Sequence, residues 1–249
     1  MRIWSRAART GGRASPSSRL LIAGATSVLA VAAGAVVFPV DAAILTWDGG
    51  GATTNWSEAA NWSTDVVPGL ADVARFDGTS AKAAVVNANV TVGGIEIDAG
   101  YGGSVTQGVG RVITIGGSGW LQQGAAFAGS AAAITINGPL ALSGGTFTST
   151  SGSLSVAGAI DTVGGTLLHA NGTLRLTGAA ATIDVAGTLS LWNLVLAQGN
   201  GVAKTIAAGD SLVVDGLLTL TNGTLEGGTL AARGDVSQAA GFDGGLGTL

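Results

Sequence analysis

The chain offers few groups able to make or break bonds, and their spacing limits what they can do. His169 is the only histidine and there is no cysteine. Metal sites built on His and Cys, and cysteine nucleophiles, are thereby removed by count, and any Ser/His/Asp triad would rest on one imidazole. That imidazole stands in Leu167-Leu168-His169-Ala170-Asn171-Gly172, a strand running into a corner, so it reads as a surface histidine. Paired carboxylates could support glycoside hydrolysis or, with calcium and a basic residue, polyuronate elimination. Asp161, Asp184, Asp210, Asp215 and Glu226 are singletons, however, and Glu96 with Asp98 is the one pair spaced to share a strand face. Two solvated acids on an outer strand is the default reading of that pair. No catalytic residue, metal or cofactor is expected.

A cluster near the start is the best candidate for something specific: Trp47, Trp56 and Trp62, with Asn55 and Asn61 beside them. Exposed indoles stack on sugars, and adjacent amides can hydrogen-bond hydroxyls. The competing reading, which we prefer, is that these aromatics plug the open end of a repeat array, where apolar side chains and unpaired strand edges would otherwise meet water. Short matches such as Asn171-Gly-Thr173, Asn222-Gly-Thr224 and Arg233-Gly-Asp235 read as corners entering strands rather than as modification or integrin-type motifs.

The elements that must position these residues are short strands. Apolar residues alternate over brief stretches, among them Val90-Thr-Val92, Ile113-Thr-Ile115, Ile134-Thr-Ile136, Leu140-Ala-Leu142, Leu174-Arg-Leu176 and Leu218-Thr-Leu220, and Gly or Asn follows nearly every one. Period two means strand, and Gly and Asn tolerate the backbone of a sharp corner. Strands set this closely leave no room for helical crossovers and are too short for free-standing hairpins. A coil of three strands and three corners, stacked on its neighbours, satisfies both limits; a lone coil buries too little to fold. Ile136-Asn-Gly138-Pro-Leu140-Ala-Leu142 recurs as Val214-Asp-Gly216-Leu-Leu218-Thr-Leu220, an offset that would hold three to four coils. The expectation is an all-β fold, a right-handed parallel β-helix, with residues 43–78 as an aromatic-rich N-terminal cap and 79–249 as the repeat array. Trp120 and Trp192 stand in that array as isolated aromatics.

Arg2, Arg6, Arg9, Arg13 and Arg19 precede an uncharged run from Leu20 to Val40, and Val40-Asp41-Ala42 supplies small residues for a peptidase. Residues 1–42 read as a Sec-type signal peptide, with an uncleaved anchor as the alternative, since about 20 apolar residues suffice to span a bilayer. The expected location is the cell surface or the extracellular medium. Once the leader is cleaved, no membrane-spanning segment is expected. From Ala43 onward, six basic residues face fourteen Asp and Glu, a charge near −8. No basic patch exists to displace phosphate counterions, which argues against nucleic acid as a partner. Without cysteines, stability must come from packing and backbone pairing.

Trp47-Asp48-Gly49-Gly50, Asn55-Trp56-Ser57, Asn61-Trp62-Ser63, Val67-Pro68-Gly69, Asp72 and Arg75-Phe76-Asp77 together resemble the opening of large bacterial surface proteins of the autotransporter-associated β-strand-repeat type. The Gly-Thr-Leu array that follows is similar to their repeat regions. The resemblance implies a right-handed β-helix on a cell surface, often adhesive, sometimes ahead of an outer-membrane barrel. This chain departs from that pattern in having no run of long alternating strands with aromatic girdles, and Gly247-Thr-Leu249 reads as the middle of a strand. The expectation is therefore the amino-terminal portion of a longer protein, whose exposed last coil could self-associate. The expected function is an exported, non-enzymatic structural or adhesive role, with host or matrix surface glycans or proteins as partners. The alternative is a polysaccharide-binding or polysaccharide-degrading protein on the same fold.

Overall fold

Short strands between sharp corners can satisfy their backbone groups by pairing in parallel with the strand one coil away. A computed structural model describes residues 42–245; the leader up to residue 41 and the strand expected at Gly247–Leu249 lie outside the described residues. The described residues form a parallel β-solenoid of about 8 turns, with helix confined to two single 3-10 turns, Ala59–Asn61 and Ser63–Asp65.

Each coil has three faces. The first runs through Val73–Phe76, the second through Ala84–Val86 and the third through the start of Val90–Ile97, which then bends back into the first. On the third face Val90, Ile113, Ile134, Leu154, Leu174, Leu194 and Leu218 stand one above another, and Val92, Ile115, Ile136, Val156, Leu176, Leu196 and Leu220 form a second column beside them. All are buried. The residues between the columns, from Thr91 through Thr135 and Ser155 to Thr219, face outward. Period-two alternation thus puts one narrow apolar stripe per strand into a shared core, and parallel register carries that stripe from coil to coil.

The first-face ladder continues past Ile160–Asp161 and Ala181–Asp184 to Ala203–Ile206. The second-face ladder does not: Thr188–Leu191 heads a separate three-stranded sheet with Ser211–Val214 and Thr229–Ala232. The interruption after Thr166–Leu168 leaves a small cleft lined by Ser149, Leu154, Leu167, His169, Thr173 and Leu191, with room for about one water molecule.

The repeat found in sequence has an unexpected basis. Leu140 lies on the first face, paired with Ile160, whereas Leu218 lies on the third, paired with Leu194. The similar segments are therefore separated by three coils and two further faces, within the expected three to four coils but out of phase with them. The unit that recurs is a corner plus a strand, and any face can accept it. Trp120, read as isolated, is instead the hub of a second interior aromatic cluster, with ring centroids 4.6 Å from Phe127 and 5.0 Å from Phe147.

Polar side chains fill the interior at several corners. Gln107 donates from Nε2 to the Arg111 carbonyl at 2.6 Å and the Ala132 carbonyl at 3.2 Å, and accepts the Ser130 N–H at 2.8 Å. The fully buried Lys204 donates from Nζ to the carbonyls of Ala157 and Ala179, both at 2.8 Å. One ammonium thus ties together corners of two earlier coils, and desolvation holds it below the usual lysine range.

The corner His169–Gly172 carries strain. Ala170 has φ 48° and Asn171 φ 59°, and Ala, unlike Asn, has no side chain that bonds locally to offset the left-handed conformation. Replacing Ala170 with Gly is expected to raise unfolding stability by about 1 kcal/mol, measured as a shift of the urea midpoint at constant slope. A lowered midpoint would mean that Ala170 is not held in that conformation.

Candidate functional site

The first strand, Ile44–Thr46, pairs with Val73–Phe76, and the chain between them folds over the end of the core. Trp47 bridges Trp62 in antiparallel fashion, and Asn55 bridges Val85 in parallel. Backbone bonds Val85 N–H to Thr54 O and Trp56 N–H to Val85 O, each 2.8 Å, lay the loop along the edge of Ala84–Val86.

The five residues singled out in sequence come together here, with different exposures. Trp47, Trp56, Trp62 and Asn61 are buried and Asn55 is half-buried. The indoles pack edge to face, Trp62 lying 5.2 Å from Trp47 and 4.6 Å from Trp56, and Phe76 lies 5.6 Å from Trp62. Trp62 Nε1 donates to the Trp56 carbonyl at 2.7 Å, whereas Trp56 Nε1 is buried with no partner. None of the three indoles presents a face to solvent.

Asn61 organises the loop around them. Its Nδ2 donates to the carbonyls of Thr53 and Asn55, each at 3.0 Å, and its Oδ1 accepts the Gly51 N–H at 3.1 Å and Lys82 Nζ at 3.0 Å. Lys82 Nζ also donates to the carbonyl of Gly49 at 3.0 Å and to that of Gly51. Neither Glu58 nor Lys82 was singled out in sequence, because their partners are mostly backbone groups. The Glu58 carboxylate accepts the N–H groups of Ala52 and Thr53, each at 2.7 Å, and the Thr53 hydroxyl.

These bonds give the loop a pH dependence. The Thr53 hydroxyl, then the N–H groups of Thr53 and Ala52, hold Glu58 below its ordinary value of 4.5. A carboxyl whose folded pKa is depressed supplies stability above the ordinary value and loses it as pH falls through the lower folded value. Acidification below about 4.5 is therefore expected to loosen the loop, read as a red shift of tryptophan emission. Glu58→Gln should weaken that acid dependence. It should not abolish it, because Asp77 is also held low by the Thr79 hydroxyl and N–H. An unchanged emission profile in Glu58→Gln would contradict this role.

The acids do not converge. Asp98 is occupied by Arg75, whose Nε and Nη2 reach its Oδ2 at 3.0 and 2.6 Å, so the Glu96–Asp98 pair is not two free carboxylates. Asp210, one of the singletons, is buried, and its Oδ2 accepts the Val185 N–H at 2.8 Å. His169 is half-buried and its Nδ1 accepts the Asn171 N–H at 2.9 Å, a bond internal to its corner. Among the described residues no group of three or more His, Asp or Glu is placed to hold a metal ion, and no helix is long and apolar enough to cross a membrane.

Among the described residues, the indole that does face solvent is Trp192, 42% exposed. It follows Thr188–Leu191 and precedes Asn193–Ala197. Leu189 and Leu191 point inward, as do Leu194 and Leu196. The one-residue break between these two alternating pairs places Trp192 on an outer corner, and that slip in phase is the sequence signal that distinguishes it from the buried tryptophans. Comparison with known proteins finds no family model, no curated protein and no solved structure that matches this chain.

Proposed function

We propose that the chain is an exported surface β-solenoid with a structural or adhesive role and no catalytic activity. The observation that carries this reading is the inner columns' parallel register, held over the seven third-face strands from Val90 to Leu220. Such a scaffold resists bending because each interior coil is paired with the coils above and below it by backbone bonds, and it presents repeated outer faces at fixed spacing. The Arg-rich, then apolar leader supports export. The likeness of the opening segment to autotransporter-associated β-strand-repeat proteins supports placement on a bacterial surface. On this reading the coil winds right-handed, the sense parallel crossovers nearly always take.

A second reading, polysaccharide binding on the same scaffold, is favoured by the exposed indole of Trp192. Fold cannot separate the two, because function resides in sites grafted onto it. The test is to incubate the purified protein with acidic and neutral polysaccharides and assay reducing ends and unsaturated products, alongside fractionation of expressing cells. No turnover, with the protein in the surface or extracellular fraction, is the expected result. Turnover that depends on one of the Asp or Glu residues would overturn the non-enzymatic reading, and a cytoplasmic protein would overturn the export reading.

A further inference from the structure

We propose that the corner carrying Trp192, Asp215 and Arg233 is a binding site for neutral glycans, with the indole as the stacking platform. The proposal rests on the surface reading above and gives it a ligand class.

Three facts place the groups together. The ladder pairs Leu191 with Val214 and Val214 with Ala232, so the next residues, Trp192, Asp215 and Arg233, occupy one corner position in three successive coils. Backbone bonds hold that alignment through the corner: Asp215 N–H donates to the Leu191 carbonyl at 3.0 Å, Gly216 N–H to the Trp192 carbonyl at 2.7 Å, and Arg233 N–H to the Val214 carbonyl at 2.8 Å. Parallel strands lie about 4.8 Å apart, so Asp215 and Arg233 stand one and two strand spacings to one side of Trp192, a span that one or two sugar rings can cover.

The corner is built to keep the ring in place. A Cβ on Gly216 would come 2.6 Å from Asn193 Oδ1, 2.8 Å from the Trp192 carbonyl oxygen and 3.3 Å from Trp192 Cε2, so the bare glycine leaves room for Asn193, the Trp192 backbone and the edge of the indole together. Asn193 fixes the following strand, its Oδ1 accepting the Leu217 N–H at 2.7 Å. Arg233 Nη1 donates to Asp215 Oδ1 at 3.2 Å. Among the described residues Asp215 Oδ2 and the other guanidinium N–H groups have no protein partner. A flat apolar ring bordered by a charged donor and acceptor matches a pyranose, which offers C–H groups on its face and hydroxyls at its rim.

Charge and area select the class. The guanidinium is matched by a carboxylate, and the chain is acidic overall, so polyanionic glycans are disfavoured. A protein partner would need roughly 800 Å² on this side with an apolar centre. The large apolar residues exposed at or next to this corner are Trp192, Leu217 and Val236, set among charged and small polar residues, a small area that suits a ring rather than an interface.

The test titrates the full chain with cellohexaose, laminarihexaose and mannohexaose, and with heparin and alginate as polyanions, following tryptophan emission and calorimetry. At least one neutral oligosaccharide is expected to bind. Trp192→Ala should weaken that binding by about tenfold or more with an unchanged unfolding midpoint, and Trp192→Phe should lose less. The proposal is overturned if no neutral oligosaccharide binds at millimolar concentration, if Trp192→Ala binds as the parent does, or if the polyanions bind in preference. Binding to immobilised fibronectin or collagen that needs Trp192, without glycan binding, would overturn it in favour of a protein partner. Absence of glycan binding would leave the structural reading standing, whereas polysaccharide turnover would remove that reading and leave the binding site.

Discussion

Trp62→Ala is expected to remove about 4–5 kcal/mol of stability from the N-terminal coil. The side chain is fully buried and makes edge-to-face contacts with Trp47, Trp56 and Phe76. Truncating a buried Trp costs about 3–5 kcal/mol in transfer and cavity terms, and here the Trp56 carbonyl also loses the indole N–H at 2.7 Å. Because a solenoid's stability is a sum of local units and their interfaces, the loss should appear as an early, separate transition of the loop and first coil. Urea unfolding followed by tryptophan emission tests this. Trp56→Phe is the contrasting variant: Trp56 Nε1 has no partner, so that change removes an unpaired polar group along with ring area and should cost less than Trp62→Phe. Equal losses in the two Phe variants would contradict the hydrogen-bond assignment.

The second large effect is expected at a corner. A Cβ on Gly158 would fall 2.5 Å from the carbonyl carbon and oxygen of Gly138, one coil below. Both obstacles are backbone, and the Gly158 N–H to Gly138 O bond, 3.1 Å, lies in the same gap. The coils must separate locally to admit a methyl group, so Gly158→Ala should cost about 3 kcal/mol. Gly117→Ala is the matched control, since nothing lies within 4 Å of its added Cβ and its φ is outside the left-handed range. That change should be neutral or stabilise by up to about 1 kcal/mol, through reduced freedom of the unfolded chain. Similar midpoints for the two variants would mean that the corners do not stack as closely as described.

The alternating triplets made the strands and their inward residues legible. Ile134 and Ile136 or Leu174 and Leu176 lie where period two puts them, and Gly138 and Gly216 turn the corners expected of them. Which face a strand would occupy was not legible, because the corner-and-strand unit around Leu140 is chemically the same as that around Leu218. Their faces depend on how many corners intervene. Inward polar residues were also hidden: Lys204 is satisfied by the carbonyls of Ala157 and Ala179 and Gln107 in part by that of Ala132, partners distant in sequence that come within reach only once coils have stacked. The tryptophans show both outcomes. Trp47, Trp56 and Trp62 were grouped correctly by proximity. Trp120 and Trp192 looked equivalent, although one pairs in register with Ile95 and Leu140 inside the core and the other sits at a slip in phase outside it.

The central claim, that these strands pair in parallel one coil apart rather than as local hairpins, can be tested with two double-cysteine variants of a chain that has no cysteine of its own. In the solenoid Thr135 is the register partner of Ser155, on strands about 4.8 Å apart, within the range a disulfide spans. In a hairpin closed by Asn137-Gly138-Pro139, Thr135 would instead face Ala141, which the solenoid places on a different face. Mild oxidation is expected to close the Thr135→Cys/Ser155→Cys pair within one chain, leaving the β-type circular dichroism unchanged, while Thr135→Cys/Ala141→Cys keeps its free thiols. Rapid closure of the second pair and persistence of thiols in the first would contradict the fold on which every functional argument above depends.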